Sequence, residues 1–357
     1  MEAKITVEKV DQTVFEGDSG GYYAWSNSKT PLLSDSKLGA GKLLLHPHGF
    51  ALPHYIDSQK IGFVLQGAIT VGLVTPNSPE EKVLLIKKGD VVPLSIGAVS
   101  WWFNGGDTDA TILFFGDTSK ALIPGQFTYF FVSGVLGLLA GFQPDFVAKT
   151  FGLDHKESEN LVNSQQGALL VKLDDGIKFP EPSNHTKDKL YATIDDPSGE
   201  VVVKGRGFIN YLTEKNLRVL GEIGLSARFV KLEGSAMLAP SYVADGSVQI
   251  CYVGKGSGRV KVVGSEGKPV LDSKVEEGDL FIIPLFFSSA TIADDCGMEV
   301  FSMVPSSKPI VGQLAGYTSA WNALSPVVLQ CDFKYYFRIR TSFQVEEFRK
   351  YHNHPPK

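Results

Sequence analysis

Four side chains able to do chemistry crowd one strand-patterned stretch of the sequence. His54, Tyr55, Lys60 and Ser100 lie between Phe50 and Asn104, among Phe63, Val64, Trp101 and Trp102. An ammonium beside a phenol lowers the phenol's pKa and supplies both a proton donor and a fixed positive charge. Such a pair polarises a carbonyl or stabilises an enolate without a metal. The competing reading is structural: Tyr55 fills a core while Lys60 runs its stem along apolar surface and puts its ammonium in water. The other clustered histidines, His46 with His48 and His352 with His354, sit in a turn and at the tail, where imidazoles are solvated rather than metal-bound.

The elements that must position these residues are short strands. Segments around Tyr55 and Phe63 lead into Gly67, and a turn at Gly89-Asp90 launches a strand ending in Ser100, Trp101 and Trp102. Apolar and β-branched runs bounded by Gly, Pro and Asp are the signature of antiparallel strands. The pattern then recurs. Pro53-His54-Tyr55 matches Pro240-Ser241-Tyr242, Gly67 matches Gly256, and Gly89-Asp90 matches Gly278-Asp279. A Leu-Ala-Gly-aromatic run follows each β region, at Leu139 to Phe142 and at Leu314 to Tyr317. Phe146, Val147, Phe151, Leu153 and Leu161 then form a helix-like stripe, with Asp154 and Ser158 as helix caps. Tandem related units follow from this repeat. Residues 1–165 form a first barrel with helices, 166–200 a polar, proline-containing linker, 201–332 a second barrel with a helix, and 333–357 an aromatic and basic tail.

The chain of 357 residues is long enough for two domains, and 43% hydrophobic with 20% charged residues is a globular composition. A net charge of −5 with no Lys/Arg cluster argues against a nucleic-acid partner. The longest apolar run, Tyr129 to Phe142, is broken by Ser133, Gly134 and Gly137, so no membrane partner is expected. The charged, alternating start MEAKITVEKVDQ is unlike a secretory signal, and the cysteines (Cys251, Cys296, Cys331) have no metal or redox spacing. A cytoplasmic location is the expectation.

Glycine–strand–glycine followed by Gly-Asp and a strand is similar to the two motifs of the cupin fold. The duplication, with Leu-Ala-Gly-Phe and helices after the barrel, resembles the legumin-type (11S) seed globulins and their shorter plant relatives, from about Tyr22 to Leu329. The resemblance implies a mainly β bicupin of two tandem jelly-roll-like barrels, each with a small helical extension. Catalytic cupins hold a divalent metal with histidines and a glutamate that converge inside the barrel. Alignment on Gly67 puts Pro53, Tyr55, Lys60 and Ser100 at those places, and Pro240, Tyr242, Gln249 and Ser289 in the second barrel. None is a good ligand and Lys60 is itself a cation, so neither metal nor other cofactor is expected. His54 should face away from Tyr55 on an alternating strand, unless a one-residue shift brings it inward. Parity lines the first barrel with Tyr55, Lys60, Ser100, Val64 and Trp102, beside Phe63. The second has an uncharged polar interior of Tyr242, Gln249, Cys251 and Ser289, with Cys251 a small buried hydrophobe.

Two functions follow as expectations. One is a cytosolic, metal-free bicupin that binds a small, largely apolar metabolite. If catalytic, it is an isomerase, cyclase or lyase that uses Tyr55 and Lys60 with Ser100 or His54, not a metal-dependent oxygenase. The alternative is a storage-like globulin, a nutrient reservoir with no chemistry. Against storage, the sequence has no vacuolar leader, no acidic Gln/Glu-rich insert and no Asn-Gly processing junction. The resemblance also implies self-association into trimers or dimers, with the helical extensions clasping neighbouring barrels.

Overall fold

A computed structural model describes residues 5–76, 78, 80–182, 189–198, 200–316, 318–332 and 348–350. The chain divides into two compact units, Asp11–Thr193 and Met1–Val10 with Ile194–Lys357.

The first unit is an antiparallel sandwich. One sheet runs Gln12–Gly17, Gly20–Ala24, Leu38–Leu45, Ala110–Asp117, Gln59–Gln66, Asp90–Leu94 and Ala192–Thr193. The other runs Tyr129–Phe131, Gly49–Ile56, Val99–Phe103, Ala68–Val74 and Lys82–Lys87, with Leu170–Lys172 also paired to Gly49–Ile56. Alternation along each strand sends one set of side chains between the sheets. Val64, Val71, Ile86, Trp102, Ile112 and Phe114 meet there as one buried cluster. Each such side chain taken out of water contributes about 1.5–3 kcal/mol. Trp101 and Phe103 point the other way and are covered by Phe179, whose ring stacks on Phe103 at 3.9 Å. The stretch 166–200, read from sequence as a linker, thus lends this barrel two short strands and an aromatic cover.

Among its described residues the second unit builds one sheet of ten strands. Its interior strands are longer than those of the first barrel: Gln249–Val263 and Ser288–Val304 bend through both faces without a break. The first barrel divides at Gly67, between Gln59–Gln66 and Ala68–Val74. Gly67 and Gly256 share a left-handed backbone, φ +77° and +74°, and a Cβ on either would meet a carbonyl oxygen, at 2.7 and 2.1 Å. Only glycine takes that conformation without strain. The Gly-Asp turns also repeat in detail: Asp90 accepts from the Lys87 amide at 2.9 Å, and Asp279 from the Glu276 amide at 2.8 Å. The segment before Val10 pairs with this second unit, where Glu8 and Leu280 exchange backbone bonds and Lys9 meets Glu276 at 2.8 Å. Of the tail, Phe348–Lys350 adds a short strand to Ala236–Val243, and the rest of 333–357 lies outside the described residues.

Leu138–Gly141, Pro144–Phe151 and His155–Asn163 are the helices after the first barrel, and Ala320–Ala323 and Pro326–Asp332 those after the second. Asp154 caps the His155 helix in a capping box with Glu157, whereas Ser158 lies within it. Val147 is buried, but Phe142, Phe146 and Phe151 are exposed.

Candidate functional site

The interior of the first barrel is set by a bulge. Across Gly49–Ile56 and Val99–Phe103, Ala51 faces Trp102 and His54 faces Ser100, so three steps on one strand match two on the other. The extra residue falls at Leu52-Pro53, and proline, with no N–H to give a ladder, fits such a bulge. Beyond it the alternation inverts. His54 turns inward and is 5% exposed, while Tyr55 turns out and stacks on Phe130 at 5.0 Å with rings 10° apart. Tyr55 therefore does not stand beside Lys60, and the expected phenol–ammonium pair is not formed. The same bulge recurs in the second barrel between Leu238 and Ser241, which makes Ser241 the inward residue there.

Lys60 does not snorkel to the rim. It is 2% exposed, with Nζ lying 4.2 Å from the centre of the Phe114 ring, 5.0 Å from Tyr129 and 5.7 Å from Phe127. No hydrogen bond or ion pair to Nζ forms among the described residues, so ring faces are its partners. Burial lowers its pKa to about 7. His54 donates from Nδ1 to the Leu52 carbonyl at 2.7 Å, which fixes Nε2 as the acceptor. Burial, reinforced by the Lys60 charge and opposed by the Leu52 bond, lowers its pKa to about 3. The hydroxyls around Lys60 come from Tyr22 and Tyr129, which hydrogen-bond to each other and whose phenols are pushed up by burial. Neither is suggested by the sequence, because they arrive from distant strands.

Of the remaining expected residues, Trp102 lines the cavity and donates to Ser100 Oγ at 3.3 Å. Val64 is core on the same face as Lys60, and Phe63 is buried on the opposite face, away from the cavity. The space left is about 30 Å3, room for one or two waters. The interior offers one imidazole, an ammonium and no carboxylate, so the residues do not fit a divalent metal. Among the described residues no group of three or more His, Cys, Asp and Glu could hold one.

In the second barrel Gln249 and Ser289 converge with Ser241 on a cavity of about 20 Å3; Tyr242 borders it, but beyond the bulge its ring lies over Gly312, on the face away from Ser241. Cys251 is buried, accepts from Ser302 at 3.5 Å, and its thiol is pushed up to about 11 by burial. The interior is not uncharged, however. Arg228, in the apolar strand Ser226–Leu232, lines the same cavity and is 6% exposed. A lone arginine at an inward parity position of such a strand is the signal that locates it.

Two barrels with these motifs define a duplicated cupin. The family model described as Cupin matches residues 7–159 and 192–335, and the chain belongs to the cupin family, as a bicupin of the legumin type. The 13S globulin seed storage protein 2 of Fagopyrum esculentum is 24% identical over 99% of this chain and 89% of its own length. The crystal structure of coconut allergen cocosin superposes with a TM-score of 0.90 at 22% identity, over 98% of this chain and 99% of that one. The 11S globulin from Wrightia tinctoria, whose structure is described as revealing an auxin binding site, superposes at 0.88 with 22% identity, over 96% of this chain and 93% of that one. No helix among the described residues is long and apolar enough to cross a membrane.

Proposed function

We propose that this bicupin is a storage-globulin-like, self-associating protein whose barrels are packed bodies rather than metabolite pockets. The filled interiors carry this reading. Cavities of about 30 and 20 Å3 compare with the roughly 300 Å3 or more of an ordinary small-molecule pocket. An apolar metabolite needs Lys60 and its aromatic walls to move aside, and Tyr55 stands outside the barrel where it has no substrate to protonate. Similarity to seed storage globulins over nearly the whole chain supports the same reading. Auxin binding belongs to the Wrightia protein, and nothing in these interiors offers a ring of that size a place.

The helical extension supports self-association. Phe142, Phe146 and Phe151 expose 56%, 62% and 55% of their surface, and large apolar side chains left exposed on one short extension mark an interaction face. A second copy of the chain is the proposed partner, in a trimer or dimer. The test of storage is abundance: quantitative proteomics of the source tissue through reserve deposition and germination. A steep rise followed by proteolytic loss is expected. A constant low level through both stages overturns the reading.

A further inference from the structure

Arg228 is a buried cation with no hydrogen-bond or ion-pair partner among the described residues. Nε and Nη2 are both buried and lack a hydrogen-bond partner among the described residues. A guanidinium does not lose its proton in a protein, so it cannot escape as Lys60 does by becoming neutral. Leaving a buried charged donor unpaired costs several kcal/mol by order of magnitude, about the penalty of a broken buried ion pair. No Asp or Glu lines the cavity. Among the described residues the guanidinium meets the ring of Tyr211, 5.7 Å from Cζ.

The orphaned atoms have a shape. Nε–H and Nη2–H lie on one edge of the guanidinium plane, and their spacing matches the two oxygens of a carboxylate, the geometry of a bidentate pair. Around the cavity, the side chains of Ser241, Gln249 and Ser289 form no hydrogen bond among the described residues. Their hydroxyl and amide groups are donors to a carboxylate's remaining lone pairs. Ser302, directly opposite Arg228 across the sheet, is already committed to Cys251.

We propose that the interior of the second barrel is a binding site for a small monocarboxylate, held in the Nε–Nη2 fork of Arg228 and by Ser241, Gln249 and Ser289. This goes beyond the storage reading and does not depend on it. The space of about 20 Å3 is that of a water or two, so it limits the ligand to formate, or to acetate with the lining side chains giving way, and excludes the larger apolar metabolite expected from sequence. The first barrel is an internal control. Strand register places Gly41 where the second barrel has Arg228, and the space above Gly41 is taken by the Tyr22 hydroxyl, 2.1 Å from where a Cβ would stand. No fork exists there.

The test uses the full-length protein at pH 7 and constant ionic strength, titrated separately with formate, acetate and chloride. Thermal melting and the line width of 13C-labelled formate or acetate are the readouts. Formate or acetate is expected to raise the melting temperature saturably and to broaden, while chloride does neither. Arg228→Met, which fills the same space without charge, is expected to melt cooperatively and to lose both responses. Arg228→Lys keeps the charge but not the fork, and is expected to bind on the order of tenfold more weakly. Gln249→Leu, expected to weaken binding without removing the cation, serves if the arginine variants fail to fold. No saturable response, an equal response in Arg228→Met, or an equal response to chloride would each overturn the proposal.

Discussion

Lys60 Nζ lies 4.2 Å from the centre of the Phe114 ring, and that contact replaces the ion pair a buried lysine ordinarily needs. Phe114 sits on the strand next to that of Lys60, two residues before the Gly116 that faces Lys60 directly. Gly116 has no side chain to hold the ammonium away, so the lysine stem passes over it toward the rings. The attraction of a cation for aromatic faces offsets only part of the lost hydration, worth about 2 kcal/mol when desolvated. The remainder appears as the depressed pKa. The fold therefore carries a group that would rather be neutral.

That has a direct consequence for stability against pH. The folded pKa of Lys60 is about 7, against 10.5 for the free side chain. Between those values the unfolded chain binds a proton that the folded one does not, so stability rises with pH from about 7 toward 10.5 and is flat below 7. Lys60→Met is expected to be more stable than the parent by a few kcal/mol, on the order of 1.4 per tenfold change in acidity, at and below pH 7. The advantage should shrink as pH rises. Urea unfolding of both proteins from pH 6 to 9.5 measures it, and an undiminished gap at the alkaline end refutes the buried-amine account.

His54 works in the opposite corner of the pH scale. Its folded pKa of about 3 lies below the ordinary 6.5, so the unfolded chain takes up a proton first as pH falls. Stability present above 6.5 is lost progressively toward pH 3, where Lys60 is already protonated in both states and adds no slope. His54→Asn keeps an N–H donor for the Leu52 carbonyl but does not titrate. Its acid limb is expected to be flatter than the parent's between pH 6 and 4, with neutral-pH stability within about 1 kcal/mol. Parallel acid limbs would place the proton uptake elsewhere.

How far the sequence reveals these features depends on whether a signal is local. The repeat of Gly67 in Gly256 and of Gly89-Asp90 in Gly278-Asp279 is legible because those turns demand glycine and a carboxylate acceptor. The two-barrel fold follows from it. Tyr55 against His54 is not legible by counting alternation, since one extra residue at Leu52-Pro53 reverses every side chain beyond it. The recurrence of proline at Pro53 and Pro240, in mid-strand, is the trace of that bulge. Tyr22 and Tyr129 reach Lys60 from strands far apart in sequence, and no pattern around either residue announces the meeting. Arg228 is the reverse case: it stands in the apolar run LSARFVKL and shares its parity with Val230 and Leu232, a local signal that the expectation of an uncharged interior passed over.

The paired glycines supply a test of the fold itself. A Cβ on Gly256 would stand 2.1 Å from the Gly297 oxygen on backbone that is already left-handed, whereas at Gly152, with φ +69°, nothing lies within 4 Å. Gly152→Ala should cost about 1 kcal/mol, the strain of the left-handed conformation alone. Gly256→Ala adds a backbone collision and should cost roughly 3 kcal/mol or more. Chemical denaturation separates the two. Equal costs would mean that the long strand yields freely at Gly256.

The exposed aromatics of the helical extension can be tested without disturbing either barrel. Phe146 and Phe151 lie on Pro144–Phe151, whose inward contact is made by Val147. Their rings face solvent in the single chain, so replacing them with aspartate should change protomer stability by no more than about 0.5 kcal/mol. In an assembly each ring taken out of water contributes about 1.5–3 kcal/mol, and a charge buried in its place costs more. The parent is therefore expected to sediment as a trimer or dimer at micromolar concentration. The double variant Phe146→Asp, Phe151→Asp should sediment as a single chain with an unchanged melting profile in the barrels. A parent that stays monomeric at every concentration removes self-association from the proposed function. A variant that remains assembled moves the interface off this helix, toward the exposed Leu324, Val327 and Val328 of the second extension.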